Sequence, residues 1–472
     1  MSRDTAATEP TTARLAWRYV GGSGRGEQIP DPASASTHDL PAGMLHMVLN
    51  LSETDDLTMK FPFDEQTPNQ LPFTERDERY RQLHDWHEPT YRHNSGLRMV
   101  WRYADVRELM EAARPGISNA KSLEPLVGFG RIAANPRALG HLCRHLVPLP
   151  AKATADLTDS VLHKRVWDTL AGPAGHFTVS TAQRPHRIED LTEHFHHALR
   201  TRGDASAHTL DVTSLSIDYA ARVVGAAVGL PPAHWPHVAI WSGAQSGLLG
   251  RRMRGRELAA AVGGLGRLFT VSADAIASGG QDGTGGLPAR LRAARIPRRV
   301  AVSAVANSLA AGVHTVSGSI QQGLQRLLSN PDRQWWHLLA DQASAAHVAA
   351  KVLQLDPGLV AWKRHVVGSL TLRSGTVLAT GPVLVMCAAA NRDPRAFPNP
   401  LDLHGAGKLP LTFGFGKHIC PGKQLAQHAV EVFLRELRAL APAARLVPAR
   451  QPSRARPSDL LFSGADIIIV TG

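Results

Sequence analysis

The sequence predicts a mainly α-helical protein with a small β region. Apolar residues recur at helical spacing over most of the chain beyond residue 73, and residues 299–330 run without proline, which predicts one long helix. Strand-like alternation is confined to short segments. The chain has 472 residues, of which 43% are hydrophobic and 19% charged. This composition excludes a disordered protein and is sufficient for a large core.

The first elements follow from the spacing of apolar residues. Tyr80, Leu83 and Trp86 recur at three-residue steps, which predicts one face of a helix. Residues 97–103 alternate in a strand-like way, and residues 104–114 return to helical spacing. This part of the chain therefore reads as helix, strand and helix in succession.

The central helices are predicted by composition as well as spacing. Residues 212–230 are apolar nearly all round, which indicates a buried helix. The 299–330 helix consists largely of small residues, so something bulky can pack closely against its middle. Residues 347–357 predict a further helix, which Pro357 ends.

Irregular regions separate these elements. Residues 1–73 are rich in Pro, Ser, Thr and Asp and are interpreted as a partly irregular N-terminal extension, whereas residues 74–472 are interpreted as one domain. Residues 118–156 predict a long loop with one short helix, and long loops inside compact enzymes are usually functional. A hairpin of two strands is expected around Ser374 and Gly375.

Charge and cysteine content exclude several classes of function. The net charge of +12 is scattered along the chain and no zinc-finger spacing accompanies it, so we expect an acidic protein partner and no nucleic acid. Three cysteines cannot form a disulfide framework. The first 30 residues lack the apolar core of a secretory signal, and no apolar run is expected to span a membrane. We therefore expect a cytoplasmic protein.

Cys420 has the most informative surroundings. Three glycines lie close to it in the segment LTFGFGKHICPG, and the apolar spacing that follows Gly422 predicts a helix. Cys420 should thus lie just before a helix N-terminus, where the helix dipole stabilises an anion and lowers the pKa of a thiol. The sequence predicts a thiolate on a flat loop that can meet a planar partner.

These residues resemble the haem-binding signature of the cytochrome P-450 superfamily, F-x-x-G-x-x-x-C-x-G, at Phe413, Gly416, Cys420 and Gly422. The resemblance extends over roughly residues 74–472 in the order and spacing of its segments, and it implies the cytochrome P-450 fold.

The resemblance implies a set of residues that bind haem b, iron protoporphyrin IX. Cys420 would be the axial iron ligand, and the signature residues Phe413, Gly416 and Gly422 would shape its loop. His418 would lie near one haem propionate, and Arg364 would pair with a propionate through its guanidinium. 

His163 matches the histidine of the family's H-x-x-x-R, which faces the other propionate. The family's arginine is here Trp167. Either Arg165 or Lys164 compensates for it, or the indole N–H of Trp167 donates in its place.

The sequence departs from the family at its E-x-x-R motif, whose residues pair with a downstream arginine. The matching residues are Lys351, Val352, Leu353 and Gln354, and Asp402 falls at the third position. We hypothesise that Lys351 and Asp402 form an ion pair of reversed polarity with Gln354 bridging them. The alternative is that the triad has decayed to unrelated surface residues.

A second departure lies in the long central helix, where the family carries an acid followed by an alcohol. Here the sequence reads Ala311, Gly312, Val313, His314 and Thr315. Thr315 is expected to face the oxygen site. His314 either replaces the acid in delivering protons, since histidine titrates near neutral pH, or points away as a core histidine.

The function implied is that of a monooxygenase which oxidises, and in particular hydroxylates, a small organic substrate in specialised metabolism. The chain shows no flavin or iron–sulfur segment, so electrons would come from a ferredoxin and its reductase. The alternative, motivated by the two departures, is a non-oxidative haem isomerase or cyclase, or a catalytically inactive partner protein.

Overall fold

The computed structural model describes the part of the chain that lies within one compact unit, Lys60–Gly472. The described residues are 61–63, 73–111, 115–119, 121–122, 125, 128–147, 160–202, 208–278, 286–330, 333–447 and 460–471. Most of the predicted N-terminal extension and part of the 118–156 loop lie outside them. Phe61 and Phe63, which belong to that predicted extension, are buried against the aromatic rings of Trp86 and Tyr80.

The described residues are mainly helical, as predicted. The α-helices are α1 (Phe73–His84), α2 (Tyr103–Glu111), α3 (Phe129–Ala133), α4 (Pro136–His145), α5 (Ser160–Ala171), α6 (Arg184–Arg202), α7 (Val212–Val228), α8 (Trp235–Gly250), α9 (Gly255–Ser278), α10 (Leu287–Ala293), α11 (Arg298–Ser329), α12 (Gln334–Leu338), α13 (Gln342–Leu355), α14 (Cys387–Ala390) and α15 (Lys423–Leu440).

Short strands form three small sheets. The strands are β1 (Thr90–Arg92), β2 (Arg98–Val100), β3 (Ile117–Ser118), β4 (Thr209–Asp211), β5 (Trp362–Val366), β6 (Leu370–Thr371), β7 (Val377–Leu378), β8 (Gly381–Val385), β9 (Arg445–Leu446) and β10 (Ile468–Val470). The largest sheet has the order β1-β2-β8-β5-β3, a second has the order β4-β10-β9, and β6 pairs with β7.

Helix α11 forms the centre of the helical core. It packs against α7, α8, α9, α13 and α15, and the largest cluster of buried apolar side chains surrounds it. Its neighbour α7 begins where the Asp211 carboxylate accepts a hydrogen bond from the Ser214 N–H, and it ends at Gly229, whose φ of 86° is left-handed. The predictions of a long central helix and of a buried helix beside it are confirmed.

Other elements differ in detail from the prediction. Trp86 lies two residues beyond the end of α1, although it is buried as its spacing suggested. The 118–156 region contains two short helices, α3 and α4, in its described part. The predicted hairpin forms between β6 and β7, whereas β8 leaves it and joins the large sheet beside β2 and β5.

Two helices, Gly255–Ser278 and Arg298–Ser329, are long and apolar enough to cross a membrane by length and composition alone. The expectation that no apolar run reaches that length is therefore wrong on this criterion. In each helix 56% of the most apolar stretch is buried inside the protein, and core helices of soluble proteins pass the same test.

Candidate functional site

The loop before α15 fixes Cys420 through its backbone. The Cys420 N–H donates a hydrogen bond of 2.7 Å to the carbonyl of Phe413. Between these residues the chain turns at Gly414 and Gly416, whose φ angles of 75° and 70° are left-handed. A Cβ on Gly416 would also lie 3.0 Å from the backbone of Glu111, so α2 leaves no room for a side chain there. The predicted loop is thus formed, with the thiol three residues before α15.

The expectation that the helix terminus lowers the pKa of Cys420 is wrong for the protein alone. Burial raises the pKa of this thiol to about 11 and outweighs the opposing effects of the Gly422 backbone and Lys423. Gly422 lies beside the sulfur, since a Cβ there would be 3.9 Å from Sγ, an ordinary van der Waals contact. Coordination to a metal ion would favour the sulfur anion at this position, because a ligating thiol is deprotonated.

Arg364 places a buried positive charge on strand β5. Its Nε donates to the carbonyl of Leu109 at 3.2 Å and its Nη1 to the carbonyl of Lys363 at 3.0 Å. Burial lowers the pKa of Arg364 to about 10, and no carboxylate among the described residues forms an ion pair with it. A buried guanidinium without an anion is costly, so this side chain fits an anionic ligand such as a propionate.

His163 and His418 lie together on α5 and on the Cys420 loop. Their rings meet edge to face, with 4.8 Å between centroids. Nε2 of His163 and Nδ1 of His418 are buried without a hydrogen-bond partner among the described residues. Burial, followed by the charge of His163, lowers the pKa of His418 to about 3, and burial with Lys417 lowers that of His163. Both rings are neutral at pH 7 and keep ring nitrogens available for a polar ligand.

The residues that replace the family's arginine point in different directions. Arg165 donates hydrogen bonds of 2.9 and 2.8 Å to the carbonyls of Ala294 and Arg295, at the end of α10. Lys164 forms an ion pair with Asp168 on its own helix. Both cations therefore bind groups other than His163 and His418.

Trp167 instead stacks parallel to His163, at 6.2 Å between centroids and 6° between ring planes. Of the three predicted replacements, the indole is the one in contact with the histidine pair.

Thr315 and His314 occupy different faces of α11. The Thr315 hydroxyl donates 2.7 Å to the carbonyl of Ala311, within its own helix. The His314 ring lies against α8, since a Cβ on Gly243 would come within 3.2 Å of its Nε2. His314 also lines a cleft of about 590 Å³ between α7, α8 and α9, with Asp218 and Glu257 among the other lining residues. Successive helix residues project about 100° apart, which explains this divergence.

The hypothesis for the altered E-x-x-R motif is partly wrong. Gln354 does not bridge Lys351 and Asp402, because its side-chain amide donates a hydrogen bond of 3.0 Å to the backbone carbonyl of Asn391. The side-chain amide of Asn391 in turn donates one of 2.9 Å to the backbone carbonyl of Gln354. Lys351 donates 3.4 Å to the carbonyl of Pro400, and no ion pair of 4.0 Å or less joins it to Asp402. Burial lowers the pKa of Lys351 while Asp402 acts in the opposite direction. The opposite charges are therefore neighbours without direct contact.

An ion cluster that sequence reasoning missed lies two residues beyond Gln354. Asp356 is buried and forms ion pairs with Arg326, with Arg392 at 3.1 Å and with Arg76 at 3.4 Å. Asp77 in turn binds Arg326 and Arg392 at 2.9 and 3.0 Å. The only signal in the sequence was an acid directly after a helix and an arginine in AANRDP. The cluster joins α1, α11, α13 and the segment after α14.

Comparison with known proteins identifies the fold. No protein-family model matches the chain. The chain is 31% identical to vitamin D3 dihydroxylase of Streptomyces griseolus over 160 residues, which is 33% of this chain and 39% of that relative. It is 32% identical to mycinamicin IV hydroxylase/epoxidase of Micromonospora griseorubida over 144 residues, 29% of this chain and 36% of the relative. The chain thus spans less than half the length of these curated relatives.

Solved structures match over most of the chain. Cytochrome P-450 CREJ in complex with (4-ethylphenyl) dihydrogen phosphate has a TM-score of 0.71 at 20% identity, covering 85% of this chain and 97% of that one. CalO2 has a TM-score of 0.68 at 22% identity, covering 84% and 96%. These likenesses confirm the predicted fold.

Proposed function

We propose that the chain is a haem-thiolate monooxygenase of the cytochrome P-450 superfamily, which oxidises a small organic substrate in specialised metabolism by hydroxylation. The observation that supports this most directly is the site around Cys420. A partly buried thiol on a glycine loop lies on the same segment as His418, which contacts His163, and Arg364 adds a buried charge that forms no ion pair among the described residues.

The residues present fit haem b. Cys420 would hold the iron, and its loop is shaped by the Phe413 carbonyl, which accepts from the Cys420 N–H, and by the left-handed turn at Gly416. Arg364, His418 and His163 would hold the propionates, because a buried guanidinium and ring nitrogens without partners suit carboxylates. When bound, haem supplies the redox chemistry that uses dioxygen.

Thr315 is the proposed hydrogen-bonding residue of the oxygen side. Its hydroxyl proton is used by the carbonyl of Ala311, so the oxygen lone pairs remain free to accept a hydrogen bond at the site. We propose His314 as the proton carrier between the α8 cleft and α11, in place of the family's acid. Histidine carries protons near neutral pH, and the cleft that His314 lines would give it a path to solvent.

Electrons are proposed to come from a ferredoxin and its reductase. Lys417 is exposed on the Cys420 loop, and Lys423 begins α15. Together with the exposed Lys164 and Arg165 of the same α5 segment as His163 they offer a positive surface near the Cys420 loop, and the net charge of +12 favours an acidic partner. A cytoplasmic location forms part of the same proposal, and cell fractionation tests it.

The spectrum of the reduced, CO-treated protein tests the proposal. We expect the absorption band typical of a haem thiolate, together with spin-state shifts on adding substrates and with oxygen and reductant consumption that yields oxidised product. Cys420→Ser should abolish the thiolate band. Protein that binds no haem, or a band that survives this substitution, would overturn the proposal.

A non-oxidative haem isomerase or cyclase, or an inactive partner protein, is the second candidate. Two observations favour it: His314 packs against α8 rather than beside the Thr315 hydroxyl, and Lys351 and Gln354 replace the E-x-x-R pair. Product formation without reductant would identify the isomerase. Absence of turnover combined with formation of a stable protein complex would identify the partner.

A further inference from the structure

The Ser319 hydroxyl joins two segments of the chain beside Thr315. It accepts a hydrogen bond of 2.8 Å from the Gly358 N–H and donates one of 2.7 Å to the carbonyl of Thr315. Ser319 is only 3% exposed. The turn that follows α13 is thereby linked to the helix carrying the proposed oxygen-side hydroxyl.

Backbones meet directly at this junction. A Cβ on Gly358 would lie 2.1 Å from the Thr315 carbonyl oxygen, and a Cβ on Gly318 would lie 2.3 Å from the carbonyl oxygen of Ser463. Real side chains do not reach such distances, so only glycine fits at either position. Because no side chain lies between the two backbones, we expect a shift of the turn to displace α11 as well.

A second segment, 460–466, is tied to the same place. The Ser463 N–H donates 2.9 Å to the carbonyl of Gly358, and its hydroxyl donates 2.6 Å to that of Pro357. Gln321 of α11 accepts 3.1 Å from the Ala465 N–H and donates 3.0 Å to the Ser216 hydroxyl. The turn after α13 and segment 460–466 are therefore both hydrogen-bonded to α11, the first at Ser319 and the second at Gln321.

We propose that Ser319 is a positioning residue, which sets the distance between the Thr315 hydroxyl and a substrate held by residues 360–362 and 463–466. The inference rests on the proposed function, in which Thr315 serves the oxygen side, and on the resemblance to the family, which implies that these two segments line the substrate pocket. Without the Ser319 hydroxyl the buried Gly358 N–H loses its partner, so the turn must move to find another. The substrate would then sit at an altered distance from Thr315.

Hydrogen exchange of the haem-loaded protein tests the link itself. In Ser319→Ala we expect the Gly358 amide, followed in peptides spanning 356–362, to exchange at least about tenfold faster, since it loses its acceptor. Ser272→Ala is the matched control, because its buried hydroxyl donates only to Leu268 within α9. An unchanged Gly358 amide in Ser319→Ala would overturn the inference, whatever the activity of the protein.

The ratio of product formed to reductant consumed tests the positioning role of Ser319. Ser319→Ala should keep the reduced CO band and consume reductant, yet form several-fold less product per electron. If Ser319 acts through Thr315, adding Ser319→Ala to Thr315→Ala should lower coupling no further. Additive losses in the double variant, or full coupling in Ser319→Ala, would overturn the positioning role. A wild-type protein that forms no oxidised product would instead contradict the proposed function. Hydrogen exchange at Gly358 would then still show whether Ser319 links the turn to α11.

Discussion

Arg326, near the end of α11, forms an ion pair with Asp356, just after α13, where the two side chains are 8% and 0% exposed. Asp356→Asn leaves Arg326, Arg392 and Arg76 without their shared carboxylate in the core. Breaking one member of a buried pair typically costs about 3–5 kcal/mol. We expect a loss of that size in the free energy of unfolding, measured by denaturant titration. Asp402→Asn, on an exposed carboxylate, should stay within about 0.5 kcal/mol; equal effects would contradict the prediction.

Arg364 should determine how firmly the cofactor is held. Replacing it by alanine removes a charge-assisted hydrogen bond worth about 1.5–3 kcal/mol, so haem should dissociate about 10–100 times faster. Transfer of haem to an excess of a high-affinity acceptor protein measures this rate. Arg165→Ala is the control, since Arg165 binds the carbonyls after α10 and is exposed. A rate equal to that of the wild type would show that Arg364 does not meet the propionate.

Thr315 and His314 should differ in their effects on coupling. Thr315→Ala is expected to lower the product formed per electron several-fold, because it removes the hydroxyl that is proposed to hydrogen-bond on the oxygen side. No other described group on that face is proposed to replace it. His314→Ala should lower coupling through slower proton supply, and His314→Glu should restore it, since a carboxylate carries protons in the family. Product formation against reductant consumption measures both. Unchanged coupling in His314→Ala would assign this ring to packing alone.

His428 makes the stability depend on pH. Burial, with Arg184 and Arg187, lowers the pKa of His428 to about 4. Below about pH 6.5 this histidine therefore binds a proton in the unfolded chain but stays neutral in the folded protein. The free energy of unfolding should fall as pH drops from about 6.5 towards 4. His428→Asn should flatten this part of the profile, as measured by denaturant midpoints at several pH values. An unchanged slope would refute the assignment.

The rate of reduction by a ferredoxin should decrease as the salt concentration rises. Attraction between an acidic partner and Lys417 is screened once the Debye length falls to about 8 Å at physiological ionic strength. Stopped-flow rates of reduction should decrease with added salt, and Lys417→Gln should be slower at low salt with a shallower dependence. A rate that does not change with salt would exclude docking by charge on this surface.

The Cys420 loop could be predicted from the sequence because its glycines, its thiol and the helix after it are neighbours along the chain. The long helix α11 likewise follows from local spacing. The Asp356 cluster could not be predicted, since Arg76 lies 280 residues away and nothing local marks the pair. The Gln354 bridge was wrong because spacing gives the face of a helix residue, but not which of two nearby polar groups it binds. The pKa of Cys420 was misjudged because the sequence does not reveal how deeply a loop is buried.

The contact between Gly358 and α11 has a consequence for engineering new specificities. A Cβ at position 318 or 358 would overlap a backbone carbonyl oxygen, so we expect substitutions there to destabilise the protein. Diversity belongs instead at 360–362 and 465–466, on either side of this fixed corner. Such changes would alter the proposed substrate pocket while the contact between Gly358 and α11 keeps its geometry.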